Sequence, residues 1–169
     1  MSFKKYLPTL VCGFAAAVLS TVPGIKNFSC CLLVPGAAAF SILLDKKINQ
    51  SNEKILLSKS LGFGFLTGLF ATLFITTFDI LLTYFIKTNE FIQNLPQIEL
   101  TMRQWNLGPM VNESLKLIKS VAKEIEKNGF SFIYLLMILS SNFIVNSIFG
   151  MVGGALGMSL ANRKSREGN

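Results

Sequence analysis

The sequence contains no histidine. That removes the side chain most often used as a general base near neutral pH and the most frequent metal ligand. Charge is scarce as well. Only 15% of the 169 residues are Asp, Glu, Lys or Arg, against about a quarter in an ordinary soluble domain. Acids are the scarcer sign, 9 against 16 basic residues, for a formal net charge of +7. The cysteines are Cys12, Cys30 and Cys31, without zinc-site spacing. Adjacent cysteines bridge each other only with strain. A redox pair, a metal site or acylation are their functional readings; small apolar filler within membrane segments is the plainer one. No nucleophile–base pair, phosphate loop or paired carboxylates can be assembled from the apolar segments. The sequence therefore predicts no catalytic, cofactor-binding or metal-binding residue, and no enzyme.

What the chain has instead is apolar length. Its mean hydropathy is +0.51. Residues 130–161 read FSFIYLLMILSSNFIVNSIFGMVGGALGMSLA, without one charge. That run exceeds the ~20 apolar residues that span a bilayer. Asn142, Asn146, Gly150 and Gly154 recur every fourth residue and so share one helical face. Gly153 and Gly157 add a second small pair. A stripe of this kind predicts packing against another helix rather than against lipid.

Three further apolar segments precede it. Residues 8–22 follow the basic start at Lys4 and Lys5, and the surroundings of Ser20 and Cys12 argue against signal-peptide and lipoprotein cleavage. The Pro23-Gly24 turn leads to residues 28–44, where Pro35-Gly36 predicts a kink. The clusters Gly13–Ala17 and Gly36–Ala39 predict close approach of these two helices to each other. A polar linker covers 45–60, with Asn52 as a helix N-cap. The third span, 61–86, carries Gly64-x-x-x-Gly68 and Asp79, the single acid within these spans. Residues 87–129 then leave the membrane pattern. Phe91, Leu95, Ile98, Met102 and Trp105 repeat at helical spacing, and Val111, Leu115, Ile118, Ala122 and Ile125 form an apolar stripe closed by Asn128-Gly129. They predict two amphipathic helices on the membrane surface or capping the bundle, with Trp105 at the interface. A basic tail, 162–169, holds Arg163, Lys164 and Arg166.

The expected fold is thus all-α: one polytopic membrane domain of four transmembrane helices, with amphipathic interfacial helices between spans three and four. Four spans place both termini on one side, which gathers nine basic residues against seven. The density of lysine and arginine beside the spans predicts that this side is cytoplasmic, N-in and C-in, with 87–129 outside. The expected location is the inner membrane and the expected partners are the lipid bilayer and a second copy or another membrane protein. The basic residues sit at the ends of apolar segments, which fits anionic headgroups better than nucleic acid.

Spans three and four run antiparallel in this scheme. Placing Gly64 and Gly68 opposite Gly154 and Gly150 carries Asp79 to within a turn of Ser140 and Asn142. An acid in hydrocarbon is costly unless paired, hydrated or protonated. Asp79, Ser140 and Asn142 are therefore the candidate intramembrane polar site, read either as a cation or proton site or as a structural acid near the outer interface.

The short N-terminal hairpin, the run GFGFLTGLFATLF, the external amphipathic segment and the ending GMVGGALG with its basic tail resemble uncharacterised bacterial four-span membrane families of the domain-of-unknown-function type. The resemblance implies the architecture and carries no activity. Two functions fit: a structural or accessory membrane protein acting through helix packing, or a small transporter or pore with Asp79, Asn142 and Asn146 along its path. A membrane-perturbing role is a third, suggested only by small size and amphipathicity.

Overall fold

The computed structural model describes residues 6–22, 24, 28–49, 54–87, 89–104 and 108–167, except for the side chains of 29, 30 and 164–167. Lys4, Lys5, Pro23, Asn52, Trp105 and the side chains of Cys30, Lys164 and Arg166, all invoked above, lie outside these. Every regular element among the described residues is helical: seven α-helices and one π-helical turn.

Helix α1, Leu7–Ser20, carries Pro8 in its first turn, where the missing N–H has no partner to lose. The π turn Ser29–Leu33 leads into α2, Val34–Ile48. Pro35 was expected to kink a continuous helix; it stands instead in the first turn of α2. Its missing N–H interrupts the α ladder, and the chain before it takes the wider π winding. Helix α2 also runs past the predicted linker boundary, so Asp45, Lys46 and Lys47 are helical, the two lysines in the last turn facing the negative end of the helix dipole. Helix α3 spans Leu57–Ile86 and ends at Lys87, which adopts a left-handed φ of 55°.

The amphipathic region folds as three helices. They are α4, Glu90–Gln93, capped by Asn89 Oδ1 accepting the Ile92 N–H at 3.0 Å; α5, Leu95–Gln104; and α6, Pro109–Asn128. Gly129, at φ 73°, ends α6 in the left-handed region that glycine tolerates. Helix α7, Phe132–Glu167, absorbs most of the predicted basic tail. Two of these helices, α3 and the Phe132–Arg163 stretch of α7, are long and apolar enough to cross a membrane, with mean hydropathies of 1.9 and 1.8.

The chain divides into two compact units, Met1–Phe78 with Leu139–Asn169, and Asp79–Ile138. The first contains two small apolar clusters. Ala17, Val34, Ala71 and Ile75 form one, with Phe74, Phe78 and Phe149 against it; Ile42, Phe63 and Ala161 form the other. Phe14 meets Phe74 edge-on at 5.2 Å between ring centres.

In the second unit, Val121 and Ile125 of α6 pack with Tyr134, Ile80, Phe91, Ile92 and Ile138. The buried face of α6 is Val111, Leu115, Val121, Ala122 and Ile125, and Ile118 is only half-buried. Most of this face is thus buried within the unit, Val121 and Ile125 against the chain's own side chains. At the surface of this unit Glu99 of α5 accepts from Lys119 of α6 at 2.8 Å and from Arg103 one turn on at 2.8 Å. Lys119, then Arg103, hold its carboxyl below the ordinary value of 4.5.

Candidate functional site

The seam between α3 and α7 in the first unit is built on glycine. A methyl group on Gly64 would overlap the Gly150 carbonyl and stand 3.1 Å from Gly154 Cα; one on Gly68 would overlap the Asn146 carbonyl. The reverse holds on α7, where Gly150 faces Gly64 and Gly68, and Gly154 faces Ser60 and Gly64. Backbones at this distance gain dispersion contacts along their length, which side chains would prevent.

The same seam carries a polar ladder one turn further along. Asn146 Nδ2 donates to Thr72 Oγ1 at 3.2 Å, Thr72 Oγ1 donates to the Asn142 carbonyl at 3.1 Å, and Asn142 Nδ2 donates to Thr76 Oγ1 at 3.1 Å. Asn146 is 3% exposed and Thr72 is 1% exposed. Burying an amide without a partner costs several kcal/mol on apolar transfer scales, roughly 2–7. Here each asparagine meets a threonine on the facing helix. Neighbouring positions repeat the device locally: Thr67 Oγ1 lies 3.1 Å from Ser41 Oγ of α2 and donates to the Phe63 carbonyl at 2.8 Å.

The second glycine pair of α7 has a different neighbour. Gly153 abuts the backbone of Pro35, and Gly157 abuts Ala39. Helix α7 thus offers Gly150 and Gly154 to α3, and Gly153 and Gly157 to α2. The expected close approach of α1 and α2 is present, with Ala17 of α1 buried in one cluster with Val34 of α2, but the hairpin's glycines lie elsewhere. Gly13 meets Thr67, Phe70 and Ala71 of α3, while Gly36 has no atom of another element within 4 Å of the position a methyl would take.

The trio expected as a polar site, Asp79, Ser140 and Asn142, is distributed between the units. Ser140 is exposed, and Asn142 is half-buried and bonded to Thr76. Asp79 belongs to the second unit, where it is half-buried and its backbone carbonyl accepts from Thr83 Oγ1 at 2.7 Å.

A buried acid that sequence reasoning missed is Asp45. It is 4% exposed and sits at the end of α2. Its two oxygens accept from Lys59 Nζ at 2.9 Å and Asn49 Nδ2 at 2.8 Å. Lys59 also lies 5.5 Å above the Phe63 ring. Assignment of 45–60 to a polar linker hid it; the signal was that Asp45 directly continues the apolar run ending at Leu44. Close by, Asn162 clasps the segment ahead of α3, its Oδ1 accepting the Ile55 N–H at 3.0 Å and its Nδ2 donating to the Ile55 carbonyl at 3.2 Å. Lys46 Nζ donates to the Ala161 carbonyl at 2.9 Å.

Among the described residues no three Cys, Asp or Glu side chains converge as metal ligands. The arrangement is one of helix-to-helix adhesion, with polar groups meeting one another across seams. Set against family models, curated proteins and solved structures, the chain matches none.

Proposed function

We propose that this chain is a multi-pass integral membrane protein that works as a structural or accessory component, through helix packing and association with a membrane partner or a second copy. In this reading α1, α2, α3 and α7 each cross the inner membrane. Both termini and the Lys46–Lys59 connection face the cytoplasm, and 87–129 lies outside.

The observation that carries the reading is an inverted distribution of polarity in the first unit. Thr9, Ser41, Ser60, Thr67, Thr72 and Asn146 are buried. Ile144, Ile148, Val152, Leu156 and Leu160 of α7, spaced every fourth residue, are between 49 and 58% exposed. Val11, Phe14 and Val18 of α1 are exposed as well. A core helix of a water-soluble protein is mostly buried, whereas only 17% of the apolar window of α7 is. Exposed apolar rows with buried hydroxyls and amides suit a hydrocarbon solvent. Helix lengths are compatible. At 1.5 Å per residue α3 extends about 45 Å and α7 about 54 Å. The shorter α1, about 21 Å, is accommodated by local thinning of the bilayer.

The transporter reading required Asn142 and Asn146 to line a polar path. Their bonds to Thr76 and Thr72 support a role in adhesion instead. Native mass spectrometry of the gently extracted protein, with identification of co-purifying chains, tests the proposal together with the Asp79→Asn variant. A stoichiometric partner or a defined oligomer, with Asp79→Asn silent, is the expected result. Ion or solute flux in proteoliposomes that Asp79→Asn abolishes would overturn it.

A further inference from the structure

Beside the Asn162 clasp lies a cleft of about 300 Å³ lined by Lys54, Met158, Ser159, Asn162 and Arg163. That volume is at the small end of ligand sites and suits a headgroup-sized fragment. No acid lines it. The nearby carboxylate, Asp45, already accepts from Lys59 and Asn49 in the adjoining crevice and leaves the two cations of the cleft uncompensated by it. The cleft is also pre-shaped. Two hydrogen bonds between Asn162 and the Ile55 backbone tie the chain just after Lys54 to the turn of α7 that carries Arg163. On α7 the exposed Leu156 and Val152 lie one and two turns from Ser159, on the face that Ser159 shares with Arg163.

We infer that this cleft binds a phosphate group, with Lys54 and Arg163 as its counter-charges and the Ser159 hydroxyl as a donor. Arg presents a planar fork to phosphate oxygens and Lys a mobile point charge, and the two together are a common phosphate pair. The apolar row leading away from the cleft selects an anionic phospholipid as the bearer, its acyl chain lying along Leu156 and Val152. The lipid as bearer rests on the membrane reading above; the phosphate site itself does not.

The test titrates the delipidated full-length protein, by native mass spectrometry, with phosphatidylglycerol, phosphatidylcholine and inorganic phosphate. The expected result is preferential retention of phosphatidylglycerol, undiminished by millimolar phosphate. The double variant Lys54→Gln/Arg163→Gln is expected to weaken it about tenfold or more, at ~1 kcal/mol per basic residue near an anionic surface. Lys54→Arg/Arg163→Lys should restore it, and Lys123→Gln/Lys127→Gln on α6 should leave it unchanged. Equal retention of both lipids, or a Lys54→Gln/Arg163→Gln protein that folds and binds phosphatidylglycerol like the parent, would overturn the site. Displacement by inorganic phosphate, lost in the same double variant, upholds the phosphate site and assigns it to a soluble ligand. Release of the protein from membranes by alkaline carbonate would defeat the membrane reading while the inorganic-phosphate titration still tests the cleft.

Discussion

Two glycines of α3, two positions apart, should respond oppositely to the same substitution. At Gly62 a methyl group has no atom of another element within 4 Å, so Gly62→Ala adds only helix propensity, a gain of up to ~1 kcal/mol. At Gly64 the obstacles are backbone. The Gly150 carbonyl carbon lies 2.9 Å and Gly154 Cα 3.1 Å from the new methyl, where carbon contacts prefer roughly 3.5–4.0 Å. No rotamer change can remove backbone atoms, so the helices must separate. Overpacking of this kind costs about 1–3 kcal/mol. Separation also stretches the Thr72–Asn146 and Thr76–Asn142 bonds, now at 3.2 and 3.1 Å, beyond the useful limit of about 3.2 Å. With the propensity gain subtracted, Gly64→Ala should lose up to ~2 kcal/mol, and because that gain is common to both, the two variants should lie about 1–3 kcal/mol apart. Circular dichroism during titration of mixed micelles with sodium dodecyl sulfate would read the difference. Equal midpoints for Gly62→Ala and Gly64→Ala would refute the close seam.

Three other outcomes follow from the same geometry. Lys59→Ala leaves the Asp45 carboxylate, whose side chain is 6% exposed, without its cation. Breaking a buried pair costs about 3–5 kcal/mol, and because Lys59 is 47% exposed the loss should be nearer ~2; an unchanged denaturation midpoint would exclude a structural ion pair. A double-mutant cycle on Thr72→Val and Asn146→Ala should give a coupling of about 0.6 kcal/mol, up to ~1.7, and zero coupling would dismiss the ladder. For Glu99, whose pKa is lowered in the folded chain by Lys119 and then Arg103, the contribution is present above the unfolded-state value. It is lost as pH falls through the lower folded value. Protection factors of the α5 amides against hydrogen exchange should therefore fall in the parent as pH drops below the ordinary glutamate range, and Glu99→Gln should abolish that dependence; protection factors in the parent that stay flat through this range would contradict it.

Helical period was legible because it is local. The α6 stripe and its stop at Gly129 are read from side-chain spacing and from the one residue that adopts positive φ without strain. Val121 was missed because it lies at the edge of the stripe and is buried only once Tyr134 and Ile138 close over it. Gly64, Gly68, Gly150 and Gly154 stand out in sequence because small residues four apart make a flat face, and the structure sets them against each other. Which face meets which helix is not local. Nothing near Gly153 or Gly157 names Pro35 and Ala39 as neighbours, and nothing near Gly13 names Phe70. Asp45 escaped for a related reason. Charge content marked it as linker, whereas the helix continues through it because Lys59 neutralises it from 14 residues away.

The Asn162 clasp also sets an order of assembly. Both of its bonds reach Ile55 across 107 residues of chain. At roughly 5–20 residues per second of synthesis, Ile55 and the glycine face of α3 are made about 5–20 seconds before the helix that covers them. During that interval α3 holds an uncovered small-residue face and an unbonded peptide group at its start. Helix α7, made well after α3, is therefore the one that closes this seam, and translation arrested before Gly150 yields a chain whose α3 offers its glycine face to whatever helix is nearest.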